Sequence, residues 1–279
     1  MREIKCSSWV DFEQKLKKLR QDMREKYGNQ SSSLLFRGQS NSTWQLETTL
    51  ERHGQKRMSY RDFYQLISRI GPAIEAFTSA KVNIPTYDRD LMMTFGDLEQ
   101  FFEPDRFPTG PLLSYIVYLR HHGFPSPLLD WSFSPYVAVF FAFKEISYGQ
   151  PANPPERSIF VYCETPEGVK GGAVGEPTIR SLGPYLREAH PRHFRQQSTY
   201  TVCSGFEGQW HFDSHQHVFE CARPGQDFLW KLDIPSTEQV EVLRTLNDYN
   251  LNAFSLFGSE ETLLETMWLR EQVLRERNA

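Results

Sequence analysis

The densest apolar run of the chain is Leu113–Phe143, LSYIVYLRHHGFPSPLLDWSFSPYVAVFFAF. Its pattern predicts a helix ending at the His121-His122-Gly123 turn. A short strand then closes on Asp130-Trp131-Ser132, and a second apolar helix starts at Ser134-Pro135. Polar residues at the end of so apolar a strand are costly to bury, which asks for a reason beyond packing. Upstream, Trp9, Phe12, Leu16, Leu19, Met23 and Tyr27 recur at steps of three or four. They predict one buried face of a helix over residues 7–27, with a capping box at Ser8 and Asp11. Leu34–Gln39 reads as a buried strand that carries Arg37 near its end, and Gly38 there removes a side chain and admits close approach of another group. Residues 44–52 and 59–78 read as helices, the second with one face from Tyr60 to Phe77. Residues 81–110 read as loop with a helical turn near Phe95–Phe102.

Beyond a link at Gln150–Pro155, Ser158–Cys163 alternates as a strand, and residues 164–184 show no period. Ser198–Val202 and Phe228–Ile234 read as strands, and residues 204–226 as loop. Ser236 opens a helix through Tyr249 with Val240, Leu243 and Leu246 inward, and a last helix spans Ser259 to about Arg275. Short strands mixed with helices in no regular alternation predict an α+β fold with a split, mostly antiparallel sheet. The organisation expected is a helical extension over 1–30, one domain over 31–270 and a helix end over 271–279.

The net charge of −4 gives no general attraction to nucleic acid or acidic membrane, so such contact needs a local basic patch. Arg187, Arg192 and Arg195 with His190 and His193 supply one. The four cysteines are widely spaced and read as reduced and structural. No run reaches membrane-spanning length and MREIKCSSWV lacks a secretory pattern, so a cytoplasmic location without membrane contact is expected. The chain has no GxxxxGK, GxGxxG or GxSxG string, which removes the commonest ATPase, dehydrogenase and hydrolase readings.

Three constellations carry candidate chemistry. Arg37, Asp130-Trp131-Ser132 and Gln196-Gln197 each stand at a strand end. An arginine fork suits phosphate, an aromatic suits a base, and hydroxyls and amides fix a ribose. The structural alternative is an Arg37–Asp130 ion pair joining two strands, and both readings can hold at once. His211, His215 and His217 lack the glutamate or cysteine partners of a metal site and read as loop histidines. His121 and His122 point about 100° apart on a helix end, poorly placed to act as an acid–base pair. His122 before Gly123 instead suits the helix C-terminus.

Phe36-Arg37-Gly38-Gln39, Trp44-Gln45-Leu46, His121-His122-Gly123-Phe124-Pro125, Leu128-Leu129-Asp130-Trp131 and Ser134-Pro135 with Phe140-Phe141-Ala142 resemble the FRG domain family over about residues 31–270. The family's arginine before Leu-Leu-Asp-Trp is Pro127 here, its glutamine before the turn histidine is His121, and its glycine after the glutamine pair is Ser198. The pattern in turn is similar to a distant ADP-ribosyltransferase fold. That resemblance implies an enzyme using NAD as substrate, with no metal. Arg37 would hold the pyrophosphate, with Gly38, Gln39 and His122 beside it, and Trp131 and Ser132 would support the nicotinamide ribose. Gln197 stands where a catalytic glutamate is usual, and Asp130 or Glu220 would supply the charge that an amide lacks. Arg192, Arg195 and Gln196 would meet the acceptor, RNA or DNA ahead of protein. An effector of toxin–antitoxin or phage-defence systems, neutralised by an antitoxin protein, is the implied setting. The alternative is an FRG module that binds a nucleotide or partner without catalysis.

Overall fold

The computed structural model describes residues 1–78, 107–108, 110–145, 154–171, 176–183, 191–221 and 223–274. The predicted turn at Phe95–Phe102, most of the Gln150–Pro155 link, and Arg187 and His190 lie outside these residues. Among the described residues, eight strands form one mixed, mostly antiparallel sheet: β1 Arg2–Lys5, β2 Leu35–Gln39, β3 Leu128–Ser132, β4 Glu156–Cys163, β5 Thr178–Leu182, β6 Ser198–Phe206, β7 Trp210–Phe212 and β8 Phe228–Pro235. Their order is β1-β8-β4-β2-β3-β6-β5, with β7 also on β6. Only β1 with β8 is parallel. The α+β expectation holds.

The described helices are α1 Trp9–Tyr27, α2 Thr49–Arg52, α3 Tyr60–Thr78, α4 Gly110–His121, α5 Pro135–Phe143, α6 Pro191–Arg195, α7 His215–Cys221, α8 Gln239–Asp248, α9 Ala253–Phe257 and α10 Glu260–Leu269. Helix α1 forms as its period predicts. The Ser8 side chain accepts the Asp11 amide, and Trp9, Phe12, Leu16, Leu19 and Met23 are buried. At roughly 1.5–3 kcal/mol per fully buried large side chain, that face anchors the helix more strongly than propensity does. Residues 1–30 thus add an edge strand and a helix to the same sheet and core as the rest of the chain.

Several local expectations change. Residues 44–48 are not helical, and α2 begins at Thr49 behind a capping box of Thr48 and Glu51. Phe77 is 91 % exposed, so the buried face of α3 stops before it. Strand β5 lies within 164–184. Within 204–226, β6 runs on to Phe206, and β7 and α7 follow. In α8 the inward residue is Val242, and Val240 is exposed. The last helix starts behind its N-cap Ser259 as predicted, as α10, and a π-helical turn over Arg270–Leu274 continues it. A short helix not predicted, α9, precedes it and ends at Gly258 in the left-handed region.

Residue parity shows how the layers meet. Phe36 pairs with Ser132, so their side chains share a face of the sheet, and Leu128, four residues from Ser132, shares it too. Phe36 packs in a cluster with α1, α5, α8 and α9. Leu128 packs in a second cluster with α3 and α4. Two helix groups therefore stand side by side on one face. Helix α7 covers part of the other face, through Val218 and Phe219 against Leu129, Trp131 and Tyr162.

Between the two helix groups the sheet loosens. Strand β2 makes five register pairs with β4, and β3 makes five with β6, but β2 and β3 share one, Phe36 with Ser132. Beyond that pair the two strands part.

Candidate functional site

A cleft of about 760 Å³ opens where β2 and β3 part, between the end of α4 and the side of α5. Arg37 and Asp130 come to its floor from the two strands. Arg37 Nη1 donates to the backbone carbonyl of Asp130 at 2.8 Å, and the Asp130 carboxylate lies 3.9 Å from the same nitrogen. A residue not singled out in the sequence completes the group. Arg120, at the end of α4, grips both carboxylate oxygens of Asp130 with Nε and Nη2. Its Nη1 donates to the Thr49 hydroxyl at 3.1 Å. Burial alone would raise the Asp130 carboxyl, but the charges of Arg120 and Arg37 hold it below the ordinary carboxylate value. Burial pushes the Arg37 guanidinium down to about 10, opposed by Asp130, so it stays charged at neutral pH.

Gly38 admits the close approach that its missing side chain predicts. A Cβ there would lie 2.8 Å from the Ala142 nitrogen and 2.9 Å from the Ala138 carbonyl carbon, with the Ala138 oxygen nearer still. The group that approaches the bare backbone is helix α5. Gln39 is buried, and its amide nitrogen donates to the Gln45 carbonyl at 3.1 Å, while its Oε1 has no partner.

Trp131 is turned away from Asp130 and Ser132 by the alternation of β3. It is 2 % exposed, and its indole N–H donates to the Thr201 hydroxyl at 2.8 Å. Trp131 belongs to the cleft lining, but its ring packs against Tyr162 and has almost no exposed face to offer a ligand. The exposed tryptophan of the cleft is Trp44, 51 % exposed at its rim. Ser132 is on the floor, where its hydroxyl donates to the Gln196 carbonyl at 2.7 Å and accepts the Ser134 amide at 3.0 Å. Gln196 lines the cleft with its side chain near the Leu256 carbonyl. Gln197 does not. It is exposed at φ 47° on the turn before β6 and lies outside the lining. Glu220 also lies outside, accepting from Gln216 on the exposed side of α7.

Arg192 lines the cleft with its guanidinium over the Phe257 ring, whereas Arg195 is exposed beside Gly258 and outside it. Of the two turn histidines, His121 lines the cleft and His122 does not. His121 Nε2 is 3.3 Å from the Tyr200 hydroxyl, which is also 3.2 Å from His193 Nδ1, and the His122 ring lies tilted against Tyr118, 4.5 Å between centroids. Five basic side chains (Arg37, Arg52, Arg120, Lys144, Arg192) face three acidic ones (Glu47, Asp130, Glu145) in the lining. The cleft is positive in a chain that is negative overall, which suits an anionic ligand.

Beneath the floor, a neutral histidine supports Trp131. The indole N–H can only donate, so the Thr201 hydroxyl accepts from it, and the same hydroxyl lies 3.0 Å from His215 Nε2. His215 is fully buried, and its Nδ1 has no partner. Burial, then the charge of Arg37, lowers its pKa to about 3. Between that value and its ordinary 6.5 the unfolded chain takes up a proton that the folded chain refuses, so stability rises with pH. We expect His215 to cost about 1.4 kcal/mol per pH unit as pH falls from 6 to 4. In urea melts at those two pH values, His215→Gln should flatten this dependence. An unchanged slope would refute the assignment. His211 is held elsewhere, 2.8 Å from Arg57 and 3.2 Å from Asp213, and His217 faces Cys221 on α7.

Residues 32–150 match the FRG domain, a span that holds β2, β3, the Arg37–Asp130–Arg120 group and α5. The match stops short of the expected 270, before β4 to β8. No curated protein and no solved structure matches the chain significantly. No helix among the described residues is long and apolar enough to cross a membrane.

Proposed function

We propose that this protein, an FRG-domain protein over residues 32–150, is an ADP-ribosyltransferase that uses NAD as substrate and modifies a macromolecule, nucleic acid ahead of protein. The observation that carries the reading is the positive cleft of about 760 Å³ at the parting of β2 and β3, with Arg37 on its floor. Its size lies in the range of pockets that enclose small organic ligands. A pyrophosphate suits arginine donors, and Arg37 and the exposed Arg52 are the two that would hold it. Trp44 offers a face for a base or nicotinamide ring, and Gln39 Oε1 is a buried acceptor still without a partner. The hydrogen bonds of Ser132 to Gln196 and Ser134 fix the floor beside them. Arg120 positions Asp130, and through it Arg37.

NAD supplies a glycosidic bond whose cleavage leaves ADP-ribose for transfer. This chain would bind the phosphates, orient the ribose and keep the reacting carbon near a negative group. Lys144 and Arg192 in the lining favour an acceptor of phosphodiester character. An effector role in toxin–antitoxin or phage defence, with a neutralising protein, belongs to the same reading.

With labelled NAD and separate arms of RNA, DNA and cell protein, folded protein is expected to release nicotinamide and label one arm. Arg37→Ala should weaken NAD binding about tenfold to a hundredfold, the loss of one charge-assisted contact. No nicotinamide release and no label in any arm would overturn the proposal. One observation favours a second reading, a nucleotide-binding module without turnover. Gln197 and Glu220 are off the cleft, and Asp130 is taken up by two arginines. That module would bind NAD in calorimetry and release no nicotinamide.

A further inference from the structure

When the ribose–nicotinamide bond breaks, positive charge develops on the ribose, and a carboxylate beside it lowers the barrier. Asp130 is poorly free for this, since Arg120 holds both of its oxygens. Two other carboxylates line the cleft. Glu145 is 71 % exposed and 3.9 Å from Lys144 past the end of α5. Glu47 is half-buried and makes no hydrogen bond or ion pair among the described residues.

The backbone at Glu47 is fixed from both sides. Leu46 before it is fully buried, and its amide faces the Gln216 side chain at 3.4 Å. Thr48 after it is buried as the N-cap of α2, its hydroxyl accepting the Glu51 amide and its own amide bound by the Glu51 carboxylate at 2.7 Å. Glu47 is thus carried on a braced segment between the rim tryptophan, Trp44, and Thr49, which holds Arg120. A group held in place before the charge appears costs no reorganisation when it does.

We propose that Glu47 is the catalytic carboxylate of the cleft, contacting the ribose next to nicotinamide, an inference that rests on the transferase reading above. In the step, the bond from the ribose anomeric carbon to the nicotinamide nitrogen breaks. Its electron pair stays on that nitrogen, which loses its positive charge and leaves as neutral nicotinamide. An acceptor hydroxyl, amine or water bonds to the same carbon and releases one proton to solvent. Glu47 accepts a ribose hydroxyl hydrogen bond, opposes the positive charge and ends unchanged.

The test measures nicotinamide release and NAD affinity for the wild type, Glu47→Gln, Glu47→Asp and Glu220→Gln. Glu47→Gln is expected to lower the turnover rate about a hundredfold or more, with NAD affinity changed less than about threefold and thermal melting unchanged. Glu47→Asp keeps the charge and should recover part of the rate, and Glu220→Gln should match the wild type. Equal rates for the Asp and Gln variants overturn the inference, as does a Gln variant that loses affinity and not turnover, and the transferase reading then stands. A wild type that releases no nicotinamide overturns both.

Discussion

Asp130→Ala is expected to lower the stability of the protein by about 2–3 kcal/mol. Breaking a buried ion pair costs about 3–5 kcal/mol, because the surviving charge is left uncompensated. Here the survivor is Arg120, whose side chain is 9 % exposed, but the Asp130 side chain is 46 % exposed, so solvent screening brings the cost to or below the bottom of that range. Arg120 would keep only the Thr49 hydroxyl, while Arg37 would keep the carbonyl of residue 130. Arg120→Met alone should cost a similar amount, and the double variant less than the sum, since neither charge is then stranded. Urea melts at neutral pH measure this. Additive losses would show that the two residues are not coupled. The pH sign is also set. The folded Asp130 carboxyl lies below its ordinary value, so its stabilisation is present above about pH 4 and is lost as pH falls through the depressed value. The gap between wild type and Asp130→Ala should close in acid.

Gly38→Ala is expected to cost about 3 kcal/mol and to yield little folded protein. The added methyl meets the backbone of α5 at Ala138 and Ala142, and backbone cannot swing aside as a side chain can. Trimming Ala138 to glycine should give no rescue, because the obstructing atoms are its carbonyl group. Thermal melting of Gly38→Ala with and without Ala138→Gly checks this. A stable Gly38→Ala protein would mean that α5 stands further from β2 than the structure places it. Arg37 and Gly38 therefore divide the labour of their shared strand: one faces the cleft, and the other lets a helix sit directly on it.

Much of this was legible in the residue pattern, and the failures have physical causes. Helix α1 could be read because its five buried residues repeat at helical spacing. Strand β1 could not, because REIK is a mostly exposed edge strand with no apolar alternation. Arg37, Asp130 and Ser132 were traced to one site since each ends or nearly ends an apolar strand. Trp131 was grouped with them although the two-residue period of a strand turns it to the other face. Arg120 carries a signal in the sequence, a charge at the end of the apolar helix LSYIVYL, where burial demands a partner. Trp44 stands in the Trp44-Gln45-Leu46 motif, which assigns it no role, and Glu47 and Arg52 carry no signal at all. They lie on or beside an irregular segment, and only the tertiary fold brings that segment to the cleft.

The parallel pairing of β1 with β8 has a consequence for synthesis. Among the described residues, the sheet partner of residues 2–5 is a strand ending at Pro235, and β8 also pairs with β4, the outer neighbour of β2. A contact that spans nearly the whole chain forms late, because its loop-closure entropy must be met first. A ribosome-bound chain carries Arg37 and Asp130 from early on, yet the sheet that braces them lacks its edge until Pro235 has emerged. On the NAD-consuming reading proposed above, that order would hold back activity until β8 has joined the sheet.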